Sequence, residues 1–300
     1  MYKLVFIGTV AATVAAMHPV NTEIVEKIKA STNTWTPYEP SENPLRDMTT
    51  EQIDALFGTI IQPANGPETY VSPVDLSSVP TSFDARTEWS ECVHPIRDQA
   101  QCGSCWAFGS SEALSDRFCI ASNGAINVVL SPQDLVACDP QNMGCDGGYL
   151  NKAWDFLTTN GIVSDSCEPY TSGAGSVDTC ATKCANGEAF KKYQCKSGSV
   201  VNPRTVPNIK AELSTNGPLE GAFTVYADFL NYKSGVYQHT HGLPKGGHAI
   251  KVVGYGSEEG VDYWICANSW GADWGENGFF RIKQGDSGIN QQMYGCTPSI

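Results

Sequence analysis

Twelve cysteines lie between Cys92 and Cys296, and the 91 residues before them contain none. Thiols at that density belong to an oxidising compartment, so the later part of the chain is expected to be laced by disulfides and the front part to fold without them. Two of these cysteines stand three apart in QAQCGSCWAF, as Cys102 and Cys105. That spacing suits half of a zinc site, a redox pair, or one structural cysteine beside a reactive one. A hydrophobic content of 41% over 300 residues supplies a sizeable core, consistent with one or two globular domains. The net charge of −13 offers no basic stripe, which excludes nucleic acid as a partner, and it shrinks toward zero as the medium nears pH 5.

The N-terminus, MYKLVFIGTVAATVAA, has one Lys and then an apolar run ending in small residues, the pattern of a signal peptide over residues 1–16. No later apolar run is long enough to span a bilayer, so a soluble product of the secretory route is expected. No Asn begins a glycosylation sequon. Residues 17–78 are polar and punctuated by prolines, with short helical patterns in TEIVEKIKA and TEQIDALFG, and read as a separate, lightly folded segment. From Val79 the Gly, Cys and Trp content rises. The stretch from Cys105 to Ala121 is apolar on several sides and predicts a buried central helix. Ser131-Pro132 starts a second helix, and Gly161 ends a third over YLNKAWDFLTTN. The back half carries the β-branched and aromatic runs LEGAFTV, HAIKVVGY, VDYWICAN and GFFRIK, which predict strands. A helical lobe followed by a β lobe, with a cleft between them, is the expected architecture.

Zinc would need a second ligand pair. Cys180-x-x-x-Cys184 and His239-x-His241 are the best available, and neither carries the rest of a finger pattern. A redox pair would follow a first strand in a chain poor in other cysteines. A thiol at the start of a helix is the third reading, because unpaired N–H groups and the helix dipole favour thiolate there. It needs a base and an orienting amide, and GGHAI at His248 and ANSWG at Asn268 supply candidates.

Together, QCGSCWAF, GCDGG, GGHAIKVVGYG and YWICANSWGADWGENGFFRI resemble the papain family of cysteine peptidases, and SFDARTEW, NGPLEGAF and YADFLNYKSGVYQH resemble its cathepsin B-like branch. TNTW and FGT in the front segment are similar to propeptides of that branch. The resemblance implies an α+β fold of two lobes, helical and β-barrel-like, as a peptidase domain over residues 79–300 preceded by a propeptide over residues 17–78. It implies a cysteine-type endopeptidase made as a zymogen, with Cys105 as nucleophile and His248 as base. Asn268 would hold the imidazole, Gln99 would donate to the oxyanion, and Trp270 would shield the His248–Asn268 contact. Gly147, Gly148, Trp270, Ala222 and Gln292 would contact substrate. Disulfides Cys92–Cys119, Cys102–Cys145, Cys138–Cys180 and Cys167–Cys184 would leave Cys105 free, Cys266 as a buried thiol, and Cys195 with Cys296 as an open pair. No metal and no cofactor is implied. The partners would be protein and peptide substrates, the chain's own propeptide and protein inhibitors of cysteine peptidases, acting on a monomer in a lysosome-like or vacuolar compartment or outside the cell.

Two departures from the branch are legible. Gln292 stands where a Glu at the base of the S2 pocket would accept Arg at P2, so apolar P2 residues should lead instead. The interval between Cys167 and Cys180 has 12 residues with no His, Arg or Lys, too short and the wrong charge to occlude the primed end and bind a terminal carboxylate. A catalytically dead binding protein on the same fold would need a lesion at Gln99, Cys105, His248 or Asn268, and none is present.

Overall fold

The computed structural model describes residues 18–63, 66 and 68–300; the signal-peptide stretch at 1–16 lies outside the described residues. The central element is helix α4 (Cys105–Ala121), in which every residue from Cys105 to Cys119 is buried. Small residues make this possible, since Ala107, Gly109, Ser110, Ser111 and Ala113 let neighbours approach on several sides. Its serines satisfy themselves on the preceding turn, as Ser110 Oγ does on the Trp106 carbonyl (2.8 Å) and Ser115 Oγ on that of Ser111 (2.6 Å). Helix α5 (Pro132–Cys138) begins at Ser131, whose Oγ accepts from the Asp134 N–H, with Pro132 in the first turn. Helix α6 (Leu150–Thr159) ends before Gly161, which takes φ 67°. These helices share one core through Trp106, Leu114, Leu135, Trp154 and Leu157.

The back half folds as strands β3 (Leu219–Tyr226), β4 (Tyr232–Tyr237), β5 (Pro244–Glu258), β6 (Val261–Ala267), β7 (Phe279–Lys283) and β8 (Gln292–Tyr294). One helix there, α7 (Val206–Asn216), was not signalled, because its apolar residues form a weak stripe broken by polar ones. Front-segment strand β1 (Trp35–Pro37) completes the order β1-β4-β7-β6-β5-β3-β8, with short β2 (Phe83–Asp84) paired to β5 and leading into the one-turn helix α3 (Ala85–Glu88). The sheet therefore ends at β1 and β8 and is not closed into a barrel. Five disulfides are formed: Cys92–Cys119, Cys102–Cys145, Cys138–Cys180, Cys167–Cys184 and Cys195–Cys296. Cys105 and Cys266 are free and buried.

The front segment is not the separate, lightly folded unit that its polar composition suggested. Helix α1 (Thr22–Ser31), capped by Asn21, buries Ile24, Val25 and Ile28, and α2 (Thr50–Asp54), held by a Thr49–Gln52 capping box, buries Ile53. These few apolar residues join the main core beside Tyr232, Trp270 and Trp274. Sparse hydrophobicity was misread as weak folding because the segment borrows its core from the β lobe. Trp35 packs at 5.3 Å from the Tyr237 ring and 6.1 Å from that of Tyr232, and its indole N–H donates to the Gln238 carbonyl (3.0 Å). Trp35→Ala should lower the stability of the full chain by about 3–5 kcal/mol. Thermal unfolding checks this, with the midpoint expected several degrees down; a shift within about 1 °C would mean that the segment is loosely held.

Candidate active site

Cys105 is the first residue of α4, where backbone N–H groups lack helical partners and the dipole favours negative charge. The turn before it is anchored by the Cys102–Cys145 bridge and by the Gly103 N–H, which donates to the Cys145 carbonyl (3.0 Å). The Cys105 sulfur lies against the backbone N–H of Ala249, the residue after His248 on β5. His248 Nε2 donates to Asn268 Oδ1 (2.8 Å), and the Ser269 N–H fixes the same oxygen (2.9 Å). Trp270 covers the imidazole with ring centroids 4.8 Å apart. Gln99 Nε2 donates to the Cys102 carbonyl (2.9 Å), while its Oε1 accepts from Ser269 Oγ (2.7 Å). The structure thus brings Gln99, Cys105, His248, Asn268 and Trp270 into one buried cluster where α4 meets the sheet. Ser269, which ties Gln99 to the Asn268 turn, was passed over although it stands inside the ANSWG block.

The front segment runs through this cluster. Gly148 N–H donates to the Gly58 carbonyl (2.7 Å), and the Ile60 N–H donates back to the Gly148 carbonyl (2.9 Å). On the opposite wall the Thr59 N–H donates to Gly247 (3.0 Å). Thr59 pairs parallel with Gly148 and antiparallel with Gly247, so both walls of the cleft are bridged by one three-residue strand. The Thr59 hydroxyl sits 3.1 Å from the Cys105 sulfur, and the Leu56 carbonyl accepts from Gln99 Nε2 (3.2 Å). Only glycine fits at two of these contacts: a Cβ on Gly58 would collide with the Gly103 carbonyl, and one on Gly148 with the Trp106 indole. Gly147, at φ 109°, turns the chain into position beside Gly58. The FGT block marked this stretch in the sequence, but nothing in it signalled that Thr59 would meet the thiol.

Burial sets the charge state of the covered cluster. It lowers the His248 pKa to about 4, against the opposing effects of Asn268 and the Leu56 carbonyl. It also pushes the Cys105 thiol up, outweighing the hydrogen bonds from Thr59 and the neighbouring backbone. In the full chain both groups are therefore held neutral.

Ala222 on β3 is buried opposite Ala249 and pairs with Gln292 on β8. Gln292 Nε2 donates to the front-segment carbonyl of Gln62 (3.3 Å), and its Oε1 has no partner among the described residues. The short interval after Cys167 lies flat on the helical lobe, with Tyr170 Oη donating to the Gln99 carbonyl (2.9 Å) and the Gln101 N–H to Gly173 (2.8 Å). Glu168, an acidic residue of this interval, turns toward Asp134 and Lys192 of the helical lobe; burial and Asp134 raise its pKa to about 7, with Lys192 opposing. His239 is held by buried Asp228 (3.1 Å) and stacked on Tyr226, and His241 faces the front-segment helix near Glu23. Among the described residues no group of His, Cys, Asp or Glu is arranged to hold a metal, and no helix is long and apolar enough to cross a membrane.

Comparison with known proteins gives the family. The profile described as "Papain family cysteine protease" matches residues 79–297. Cathepsin B-like CP3 of Giardia intestinalis is 48% identical over 226 residues, covering 74% of this chain and 76% of its own length. Cathepsin B-like cysteine proteinase 4 of Caenorhabditis elegans is 38% identical, covering 100% of both chains. Among solved structures, proCathepsin B S9 from Trypanosoma congolense superposes with a TM-score of 0.85 at 30% identity, over 94% of this chain and 100% of that one. With the helix-borne thiol, the strand-borne imidazole and the two-lobed fold already in place, the chain belongs to the papain family of cysteine proteases, among its cathepsin B-like members.

Proposed function

We propose that the protein is an endopeptidase made as a zymogen, in which residues 17–78 form a propeptide that seals the cleft of a peptidase domain over residues 79–300. The observation that carries this reading is the strand through Thr59, which takes both backbone groups of Gly148 and lies against the Cys105 sulfur. It runs parallel to Gly148, whereas a substrate pairing antiparallel on the same edge would run the other way, so the segment occupies the cleft without presenting a cleavable bond. With the segment gone, water reaches the cluster, the burial that keeps Cys105 and His248 neutral is relieved, and a thiolate and imidazolium pair forms at the start of α4. The thiolate attacks the scissile carbonyl carbon to form a tetrahedral adduct. Its oxyanion takes hydrogen bonds from Gln99 Nε2 and the Cys105 N–H, the donor direction now satisfied by the Leu56 carbonyl. The adduct collapses to a thioester as His248 gives its proton to the leaving amine. Water, deprotonated by His248, then attacks the thioester and releases the carboxyl product and the Cys105 thiolate. Asn268 keeps the imidazole oriented, and Trp270 keeps water from their hydrogen bond. The signal-peptide pattern and the five bridges suit a secretory route to a lysosome-like, vacuolar or extracellular destination. Monomeric action on protein and peptide chains, with cysteine-peptidase inhibitors as further partners, completes the reading.

Iodoacetamide at mildly acidic pH should alkylate Cys105 quickly in the processed protein and slowly in the full chain. Gly58→Ala should speed labelling of the full chain more than about tenfold, equivalent to a loss of about 1.4 kcal/mol of seating. Equal labelling of full and processed chains would sink the zymogen.

Acid should loosen the seal for a reason of definite sign. Where residue 105 cannot ionise, as in Cys105→Ser, the covered His248 has its pKa held at about 4 and exposure returns it toward 6.5, so the open state binds more protons and opening is favoured as pH falls from 6.5 toward 4; in the native chain the proton that Cys105 gives up in forming the ion pair offsets this uptake. Glu68 adds to this at lower pH. Burial raises its pKa, but bonds from the Arg204 and Thr205 N–H groups and from the Thr205 and Asn208 side chains hold it below the ordinary 4.5, so its contribution is lost only as pH falls under that value. Of the front-segment carboxylates, Glu42 and Asp54 also reach across, to Lys233 (3.1 Å) and Lys245 (3.1 Å), while Glu39 and Asp47 pair within the segment. In the inert Cys105→Ser chain, amide exchange of residues 56–62, corrected for its intrinsic pH dependence, should show falling protection between pH 6.5 and 4. A flat profile there would contradict this account.

The pinned interval after Cys167 and the engaged His239 leave the primed end open. Digestion of a peptide and its C-terminally amidated twin should proceed alike at internal bonds, and dipeptides lost in succession from the free-acid form alone would show that another group binds the terminal carboxylate.

A further inference from the structure

The cavity at the β8 end of the cleft, about 480 Å³ in volume, is lined by Gln292, Tyr294, Val201 and Arg204 of the peptidase domain and by Gln62 and Tyr70 of the front segment. Gln292 is the residue that the family resemblance places at the base of the P2 pocket, and a polar, uncharged base by itself favours apolar P2 side chains. The cavity carries a charge that this position does not reveal. Arg204 lies half-buried just before α7, on a wall of the same cavity, and among the described residues its guanidinium makes no ion pair and no hydrogen bond. Charge from Glu220 and Arg204 bears on Tyr294 in this wall, and Glu212, paired with Arg117 (3.0 Å), accepts from the Tyr70 hydroxyl (2.7 Å). Burial keeps Glu220 well above the ordinary carboxylate range, its Oε2 accepting from the Trp154 indole (2.6 Å), and Glu212 is answered by Arg117, which leaves Arg204 as the cation of this wall without an ion-pair partner among the described residues. The full chain already places a carboxylate beside this residue: Glu68 of the front segment accepts from the Arg204 N–H (2.6 Å) and the Thr205 N–H (3.3 Å). When residues 17–78 leave, Gln62, Glu68 and Tyr70 leave with them, and the cavity retains the Arg204 cation without the Glu68 carboxylate, while Glu212 stays paired with Arg117.

We propose that Arg204 is a specificity-determining residue that makes the processed enzyme prefer an acidic side chain, Glu above all, at P2. The proposal rests on the endopeptidase reading and gives it a substrate class: chains cut after a Glu-X pair, in place of the apolar-X pair expected from Gln292 alone. Discrimination against Arg at P2 follows from the same charge, since the cavity presents an unpaired cation on the wall that it shares with Gln292.

The test uses blocked fluorogenic peptides identical except for Glu, Gln, Leu or Arg at P2, hydrolysed by the processed enzyme at pH 7 and low ionic strength. The Glu peptide should exceed its isosteric Gln twin in kcat/KM by roughly tenfold, the scale of one charge-assisted hydrogen bond. That ratio should shrink as salt is added. Within each variant the Glu-to-Gln ratio is the readout, so altered yield or overall rate does not enter it. The ratio should fall to near one in Arg204→Gln, survive in Arg204→Lys, and give way to a preference for Arg in Arg204→Glu. A wild-type ratio near one, or a ratio that persists in Arg204→Gln, would overturn the assignment while cleavage of the Leu peptide left the endopeptidase reading standing. Failure to cleave any of the four would overturn both. Should the variants not fold, the wild-type ratio and its salt dependence decide the matter alone.

Discussion

A helix that is buried on all sides cannot carry charge unless the rest of the molecule answers it, and α4 carries Glu112, Asp116 and Arg117. Arg117 is met by Glu212 of α7 (3.0 Å) and by the carbonyls of Gly217, Pro218 and Cys296. Asp116 is met by Lys251 of β5 (2.7 Å) and by His94 (2.7 Å). Each partner comes from a different stretch of chain, so the helix seats in one rotation and depth only. Cys105 stands at the end of that helix, and Lys251 lies three residues after His248 on the strand that answers it. The same paired charges that hold the lobes together therefore set how the thiol and the imidazole face each other.

The second constraint is that the front segment is built into the fold. β1 extends the sheet, α1 and α2 complete the core beside Tyr232 and Trp274, and the strand at Thr59 spans the cleft. Covering the cluster does more than block access. In a dry site the neutral forms of the Cys105 thiol and the His248 imidazole win, so the thiol is chemically quiet as well as hidden. Coverage and reactivity are thus one equilibrium.

Much of this was legible residue by residue. The Cys102–Cys105 spacing, the amphipathic and capping signals of α1, α2, α5 and α6, and the alternating runs of β3, β5, β6 and β7 all came from local pattern, where covalent geometry and solvent exposure act over a few residues. α7 was missed because it is held by Arg117 and its neighbours more than by an apolar stripe, and the depth of the front segment was missed because its core is supplied by strands two hundred residues away.

The sequence by itself determined which thiol, imidazole and amides are candidates for the site, the oxidised character of the later chain and the order of lobes, because these depend on residue type and near spacing. Only the tertiary structure decided the bridge between Cys195 and Cys296, the open edge of the sheet, the inward turn of Glu168, the seat of Thr59 on the thiol and the unanswered charge of Arg204 beside Gln292. Each of these is a relation between stretches far apart in the chain. Burial and pairing across such distances arise when the chain packs, and no local pattern encodes which buried group meets which partner.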